Sequence, residues 1–311
     1  MSVEIMATSK FTSMSADEFR KRAKESDVLE AIQFEHRQIV EQSRIGTSQN
    51  FSKHENYERH RRDDIYWDEK RTPKEDNTNY IHARYVDCFE IPKKYVAIQG
   101  LLGKTLDEFW QLVWEQNSRI IVMLDELKVA ETDKCALYWH PYGNKQKIFQ
   151  ANELSIRTVS ETTESGYGET TFHVSNYITG ESRLIKHYMY LEWSEFGVPT
   201  NCESFMQLNL DVEDERHRLL TEMVDEPALG PIIVHCSGGG RTGVFCAVDS
   251  CVFQLVKTET VSVPETVLKI NKQQCSSVST MEEYIFIYRI LYEFAKSFEM
   301  CSFMRDILHA D

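Results

Sequence analysis

The sequence predicts an α/β protein: one domain in which a twisted, mixed central sheet is flanked by helices. Three observations carry that prediction. Residues 120–124, Ile-Ile-Val-Met-Leu, are five consecutive apolar residues, as in a strand covered on both faces. The stretch before it, Thr105 to Asn117, has the spacing of an amphipathic helix, with Thr105 placed as a cap. Pro231 to Cys236 is a second short buried strand, and it runs into an apolar helix from Arg241 to Val256.

The other elements follow in chain order. Residues 1–14 are polar and aperiodic. Ser15 to Ser43 reads as helix, opened by a Ser15–Glu18 capping box and carrying apolar positions at Phe19, Leu29, Ile32, Phe34 and Ile39. Gly46 to Lys53 is a polar linker, and Glu55 to Lys74 is densely charged, as a solvated surface would be. Residues 80–86 and 95–98 are β-rich. Gln146 to Trp193 reads as a meander of three or four strands around a loop at 160–168 rich in Ser, Thr, Glu and Gly. Helices are expected at 204–224, 264–274 and 280–298. The boundaries set by this reading are an N-terminal segment 1–29, a domain 30–298 and a tail 299–311.

Composition narrows the function classes. The 311 residues hold 35 basic and 49 acidic side chains, a formal charge of −14, so nucleic acid and anionic membranes are poor partners. Mean hydropathy is −0.44, and no apolar run is long enough to cross a bilayer. The first residues lack the pattern of a signal peptide, which points to the cytoplasm and to eight reduced cysteines. No C-x-x-C pair occurs, so neither a structural metal nor a cofactor is expected.

The chemistry lies in Val234-His-Cys-Ser-Gly-Gly-Gly-Arg-Thr-Gly243. A strand delivers His235 and Cys236 to its carboxyl end. Ser237, Gly238, Gly239 and Gly240 form a loop whose N–H groups can turn inward, and a helix start adds positive potential, which together make an anion cradle. In that field Cys236 is expected to ionise at neutral pH, and Arg241 offers a planar fork for phosphate oxygens. Thiolate, cradle and arginine describe phosphoryl transfer through a cysteinyl-phosphate. The plainer alternative is a buried structural cysteine ahead of a glycine-rich helix start.

This segment resembles the V-H-C-S-A-G-x-G-R-T-G signature of tyrosine-specific protein phosphatases. Asn79-Tyr-Ile-His-Ala-Arg-Tyr85, Tyr95-Val-Ala-Ile-Gln-Gly100, Asp107 to Glu115, Ile121 to Leu124, Lys134 to Trp139 and Phe196 to Pro199 resemble other family segments in the family's order. The resemblance runs from about residue 30 to about 298, and the Tyr-Ile-His-Ala wording is similar to bracovirus phosphatases. It implies a single tyrosine-phosphatase domain acting on phosphotyrosine proteins, in a virus-host setting and in host-cell cytoplasm. It also implies Cys236 as nucleophile, with His235 and Thr242 tuning it, and Glu115 as the acid that holds Arg241.

Four family loops are altered here. Cys236 and Arg241 are spaced C-x4-R instead of C-x5-R, which removes one N–H donor and up to roughly 3.5 Å of chain. The W-P-D acid loop becomes Trp193-Ser194-Glu195; glutamate keeps the acid chemistry but is one methylene longer. The tyrosine that walls the family's pocket is replaced by Arg62, whose guanidinium suits phosphate or ring stacking. The glutamines that place the hydrolytic water become Ser279 and Glu283, and a carboxylate repels a dianionic intermediate. The reading that follows is a pseudophosphatase that binds phosphotyrosine proteins or partners. Two alternatives stay open: an active phosphatase with a remodelled pocket, in which Cys236, Arg241 and Glu195 react, and a scaffold that has abandoned phosphate.

Overall fold

A computed structural model describes residues 12–43, 73, 81–125, 135–142, 148–194, 197–223, 227–274 and 277–297. The predicted linker, the charged run (apart from residue 73), Arg62, Glu195 and the tail lie outside the described residues. Among the described residues there are ten strands and seven α-helices. β1 (Met14–Ser15) pairs only with β10 (Thr260–Val261). The other eight form one sheet: β2 (Ala83–Val86), β3 (Tyr95–Gln99), β4 (Ile120–Met123), β5 (Phe149–Ala151), β6 (Leu154–Thr163), β7 (Tyr167–Asn176), β8 (Ser182–Tyr190) and β9 (Ile232–Cys236).

The spatial order is β2-β3-β9-β4-β8-β7-β6-β5. The centre, β3-β9-β4-β8, is parallel, and both flanks are antiparallel. This is the mixed α/β sheet the sequence predicts. Both faces of the parallel centre are covered, which is why β4 is apolar at every position. Ile120 and Val122 join a core with α4 (Glu203–Glu222), α5 (Gly240–Thr258), α6 (Val263–Gln273) and α7 (Met281–Ser297). Ile121 and Met123 join the opposite core with Phe109 and Trp110 of α3 (Leu106–Glu115).

Some expectations are corrected. The predicted 15–43 helix is two helices, α1 (Ala16–Arg22) and α2 (Val28–Gln42). The Ser15–Glu18 capping box opens α1 as expected. The break spans residues 23–27 and ends in Ser26-Asp27, a pair that favours turns over helix interiors; Asp27 takes the Arg22 guanidinium at 2.8 Å and its carbonyl starts α2. Leu29 and Phe34 are exposed, while Phe19, Ile32 and Ile39 are buried. Thr105 precedes α3 but closes a tight turn on Leu102 instead of capping the helix. The expected loop at 160–168 is largely strand: β6 and β7 pair as far as Thr163–Gly168 around a short turn. That hairpin tip projects beyond the core, so polar residues suffice for its pairing.

Candidate active site

The site lies where the parallel strands end at their carboxyl side, the usual place for a ligand in such a sheet. β9, buried along its whole length between β3 and β4, carries His235 and Cys236 to that edge. Gly239 sits at φ 90°, the left-handed backbone that glycine permits without strain, and caps α5, which starts at Gly240. The turn aims the Gly239 N–H at Cys236 Sγ over 3.0 Å, and the Thr242 hydroxyl reaches the same sulfur at 3.2 Å.

Burial pushes the Cys236 thiol above its ordinary range, and the nearby Asp125 carboxylate adds to the rise; contacts from Thr242 and the Gly238 N–H pull the other way without cancelling it. The expected neutral-pH thiolate is therefore corrected. The first cause is the burial of the sulfur itself, and the second is a buried negative charge that sequence analysis did not place there.

Asp125 follows β4 after one residue, Leu124, and is 2% exposed. Its Oδ1 takes Arg241 Nη1 at 2.8 Å and the Ser237 hydroxyl at 3.0 Å. Arg241 also donates to the carbonyl of Leu124 and, from Nη2, to the carbonyl of Ser194, each at 2.9 Å. Its guanidinium lies 5.6 Å from the ring centre of the buried Trp193, whose Nε1–H is bonded to the Gly197 carbonyl. The acid paired with Arg241 is thus Asp125. Glu115, expected in that role, is exposed at the end of α3 and accepts from Gln111. Ser237, expected to contact phosphate, directs its hydroxyl to Asp125.

Behind the cysteine, His235 Nε2 and His187 Nε2 both meet the Tyr138 hydroxyl, at 2.8 and 2.7 Å. One phenolic proton serves one imidazole, so the other imidazole donates to the phenol oxygen. Burial holds both imidazoles at a pKa of about 3, keeping them neutral. Sequence analysis found His235 but missed Tyr138, His187 and Asp125. For Asp125 a signal existed, since a carboxylate ending a parallel strand beside the motif strand sits where ligands bind.

Ser279 precedes α7 and Glu283 lies in its first turn. Glu283 Oε2 accepts the N–H groups of Ser279 and Thr280, and Thr280 Oγ1 accepts the Glu283 N–H, so Thr280-Met-Glu-Glu283 is a capping box. The same carboxylate lies against Gly240, where an added Cβ would collide with it.

A cysteine at the end of a central parallel strand, followed by a glycine turn and a helix start bearing arginine, is the arrangement of cysteine-dependent phosphatases. The sequence profile of the protein-tyrosine phosphatase family matches residues 56–293. Two bracovirus proteins of Microplitis demolitor bracovirus (isolate Webb) are similar along nearly their whole length. "Probable tyrosine phosphatase protein N1" is 34% identical over 297 residues, covering 92% of this chain and 92% of that protein. "Tyrosine phosphatase H3" is 32% identical, covering 88% and 91%. The Mus musculus "Tyrosine-protein phosphatase non-receptor type 2" is 34% identical over 245 residues, 78% of this chain and 58% of that protein. The chain belongs to the protein-tyrosine phosphatase family.

Proposed function

We propose that this chain binds phosphotyrosine-bearing proteins through the Cys236–Arg241 loop and turns them over little or not at all. The observation that carries this reading is the commitment of Arg241 to Asp125 and to the carbonyls of Leu124 and Ser194. A guanidinium held this way has fewer donors for the oxygens of a phosphate in transfer, and displacing a catalytic group by about 1 Å costs on the order of 100-fold. The raised Cys236 thiol and the one-residue-shorter loop act in the same direction. Similarity to bracovirus proteins supports a role in host-cell cytoplasm, on host phosphotyrosine signalling.

One observation favours the active alternative: Cys236 Sγ keeps hydrogen bonds from Gly239 and Thr242, which would steady a thiolate. In that case Cys236 attacks phosphorus, Arg241 clamps the oxygens and Glu195 protonates the leaving oxygen. Hydrolysis of an aryl phosphate by wild type and Cys236→Ser separates the two. The binding reading expects the same background from both, together with phosphotyrosine-peptide binding that weakens with salt and with Arg241→Ala. Robust turnover that vanishes in the serine variant establishes the enzyme.

A further inference from the structure

The α5 N-terminus already has an anion beside it. Glu283 is bound at one carboxylate oxygen by the Ser279 and Thr280 N–H groups, at 3.0 and 3.1 Å, while Oε1 lies against Gly240, the first residue of α5. No side chain at 240 intervenes, so the carboxylate rests against the first residue of the helix whose N-terminus would receive phosphate. A negative group at a helix N-terminus is stabilised there, and a second anion arriving would meet its repulsion.

We propose that Glu283 gates the anion cradle: a dianionic phosphate binds most tightly when Glu283 is neutral, and the charged carboxylate weakens its binding. This rests on the reading of the loop as a phosphate-binding site and names how that site is regulated. Binding is then coupled to uptake of one proton.

Burial raises the Glu283 carboxyl above its ordinary range, while the capping N–H groups and Arg241 hold it partly down. The titratable and charged groups on the elements packed around it bear on the same proton. They are Arg241 at the start of α5, with Asp125 paired to it after β4, and the Cys236 thiol at the end of β9. On its own helix lies Glu282. From α2, His36 packs against the Tyr284 ring at 5.3 Å, and Glu35 takes the hydroxyls of Tyr284 and Tyr288. His36 is held below its ordinary range by burial.

The test is sulfate binding by calorimetry between about pH 5 and about pH 8, because sulfate stays a dianion throughout and does not titrate itself. Glu283→Gln is the variant of choice, since glutamine also completes a capping box. Wild-type affinity is expected to fall by up to about tenfold per pH unit above the carboxyl's pKa, as the competent fraction falls. Glu283→Gln is expected to bind about tenfold or more tightly at neutral pH, with that slope lost. Arg241→Ala in the Glu283→Gln background is expected to abolish binding, which places the sulfate in the cradle. Equal affinity and equal slope in wild type and Glu283→Gln overturn the gate and leave the anion site standing. No sulfate binding by either protein even at the acid end overturns both. The wild-type slope alone decides the matter should the variant misfold, since a flat profile contradicts proton-coupled entry.

Discussion

Asp125 Oδ1 meets Arg241 Nη1 at 2.8 Å beneath the glycine loop, joining the end of β4 to the start of α5. The pair neutralises the arginine locally and places a negative charge near the Cys236 sulfur. Both effects oppose what a phosphate site needs.

Asp125→Asn should therefore strengthen the site. Asparagine keeps an oxygen for the Ser237 hydroxyl and for Arg241 but removes the charge. Phosphotyrosine-peptide affinity should rise about three- to tenfold, the effect of one nearby charge in a partly solvated site. The pH midpoint for alkylation of the Cys236 peptide, followed by mass spectrometry, should move down, because Asp125 holds the thiol up. An unchanged midpoint and unchanged affinity would show that the carboxylate does not act on the site.

His187 and His235 predict a distinct acid sensitivity. Both imidazoles are held at about pKa 3 in the fold, against about 6.5 in the unfolded chain. The sign follows from proton binding. As pH falls below about 6.5 the unfolded state takes up protons that the folded imidazoles refuse, so stability drops, well before carboxylates titrate. Each histidine contributes a slope of about 1.4 kcal/mol per pH unit in that window. Urea unfolding at neutral and mildly acid pH should show the slope reduced by about that amount in His187→Gln. Equal slopes would mean that the histidines titrate in the folded state.

Lys94 supports the fold beneath the site. Its side chain is fully buried, with Nζ 2.7 Å from Asp249 Oδ2, a hydrogen-bonded pair, and 2.7 Å from Glu213 Oε2, an ion pair off hydrogen-bond alignment. Burial disfavours the charge, yet the two carboxylates raise the Lys94 pKa overall. For Glu213 burial likewise works against ionisation, and Lys94 and Arg216 hold the carboxyl below its ordinary range. In wild type that contribution is present above the unfolded carboxyl pKa and lost as pH falls through the lower folded value. Lys94→Met leaves two buried carboxylates without their lysine and should cost about 3–5 kcal/mol at neutral pH by chemical denaturation. The cost should shrink on mild acidification, when a carboxyl of the pair takes up a proton.

The parts of this molecule legible in sequence are those set by a local apolar pattern. β4, β9 and α5 are short or continuous apolar runs, and the strand–loop–helix order around Cys236 follows from them. The break between α1 and α2 was hidden because Ser26 and Asp27 interrupt an otherwise helical stretch without Gly or Pro. The Asp125–Arg241 pair spans 116 residues and is set by strand adjacency, which no spacing rule expresses. The Tyr138–His187–His235 cluster likewise draws its members from three separate segments. Thr280-Met-Glu-Glu283 has the form of a capping box, but the contact of Glu283 with Gly240 depends on how α7 meets α5.

Loop length is tested by repair. Inserting one alanine between Gly238 and Gly239 restores the C-x5-R spacing and adds a backbone donor to the cradle. Gly239 would still cap α5 in its left-handed conformation, so the helix start is kept. With the phosphate held at a workable distance, Cys236 can attack phosphorus and expel the leaving group, so a phosphocysteine should form. Hydrolysis of that intermediate should stay slow. Glu283 presents a carboxylate beside Gly240, and Ser279 lends its N–H to that carboxylate. Rapid-mixing measurements should therefore show a burst of leaving group, close to one per protein, followed by a low steady rate. Ser194→Pro with Glu195→Asp should speed the burst, and Ser279→Gln with Glu283→Gln should raise the steady rate. Full turnover from the insertion alone would place the whole defect in loop length. No burst with all five changes present would mean that the Asp125–Arg241 pair, left intact, is sufficient to hold the arginine away from phosphate.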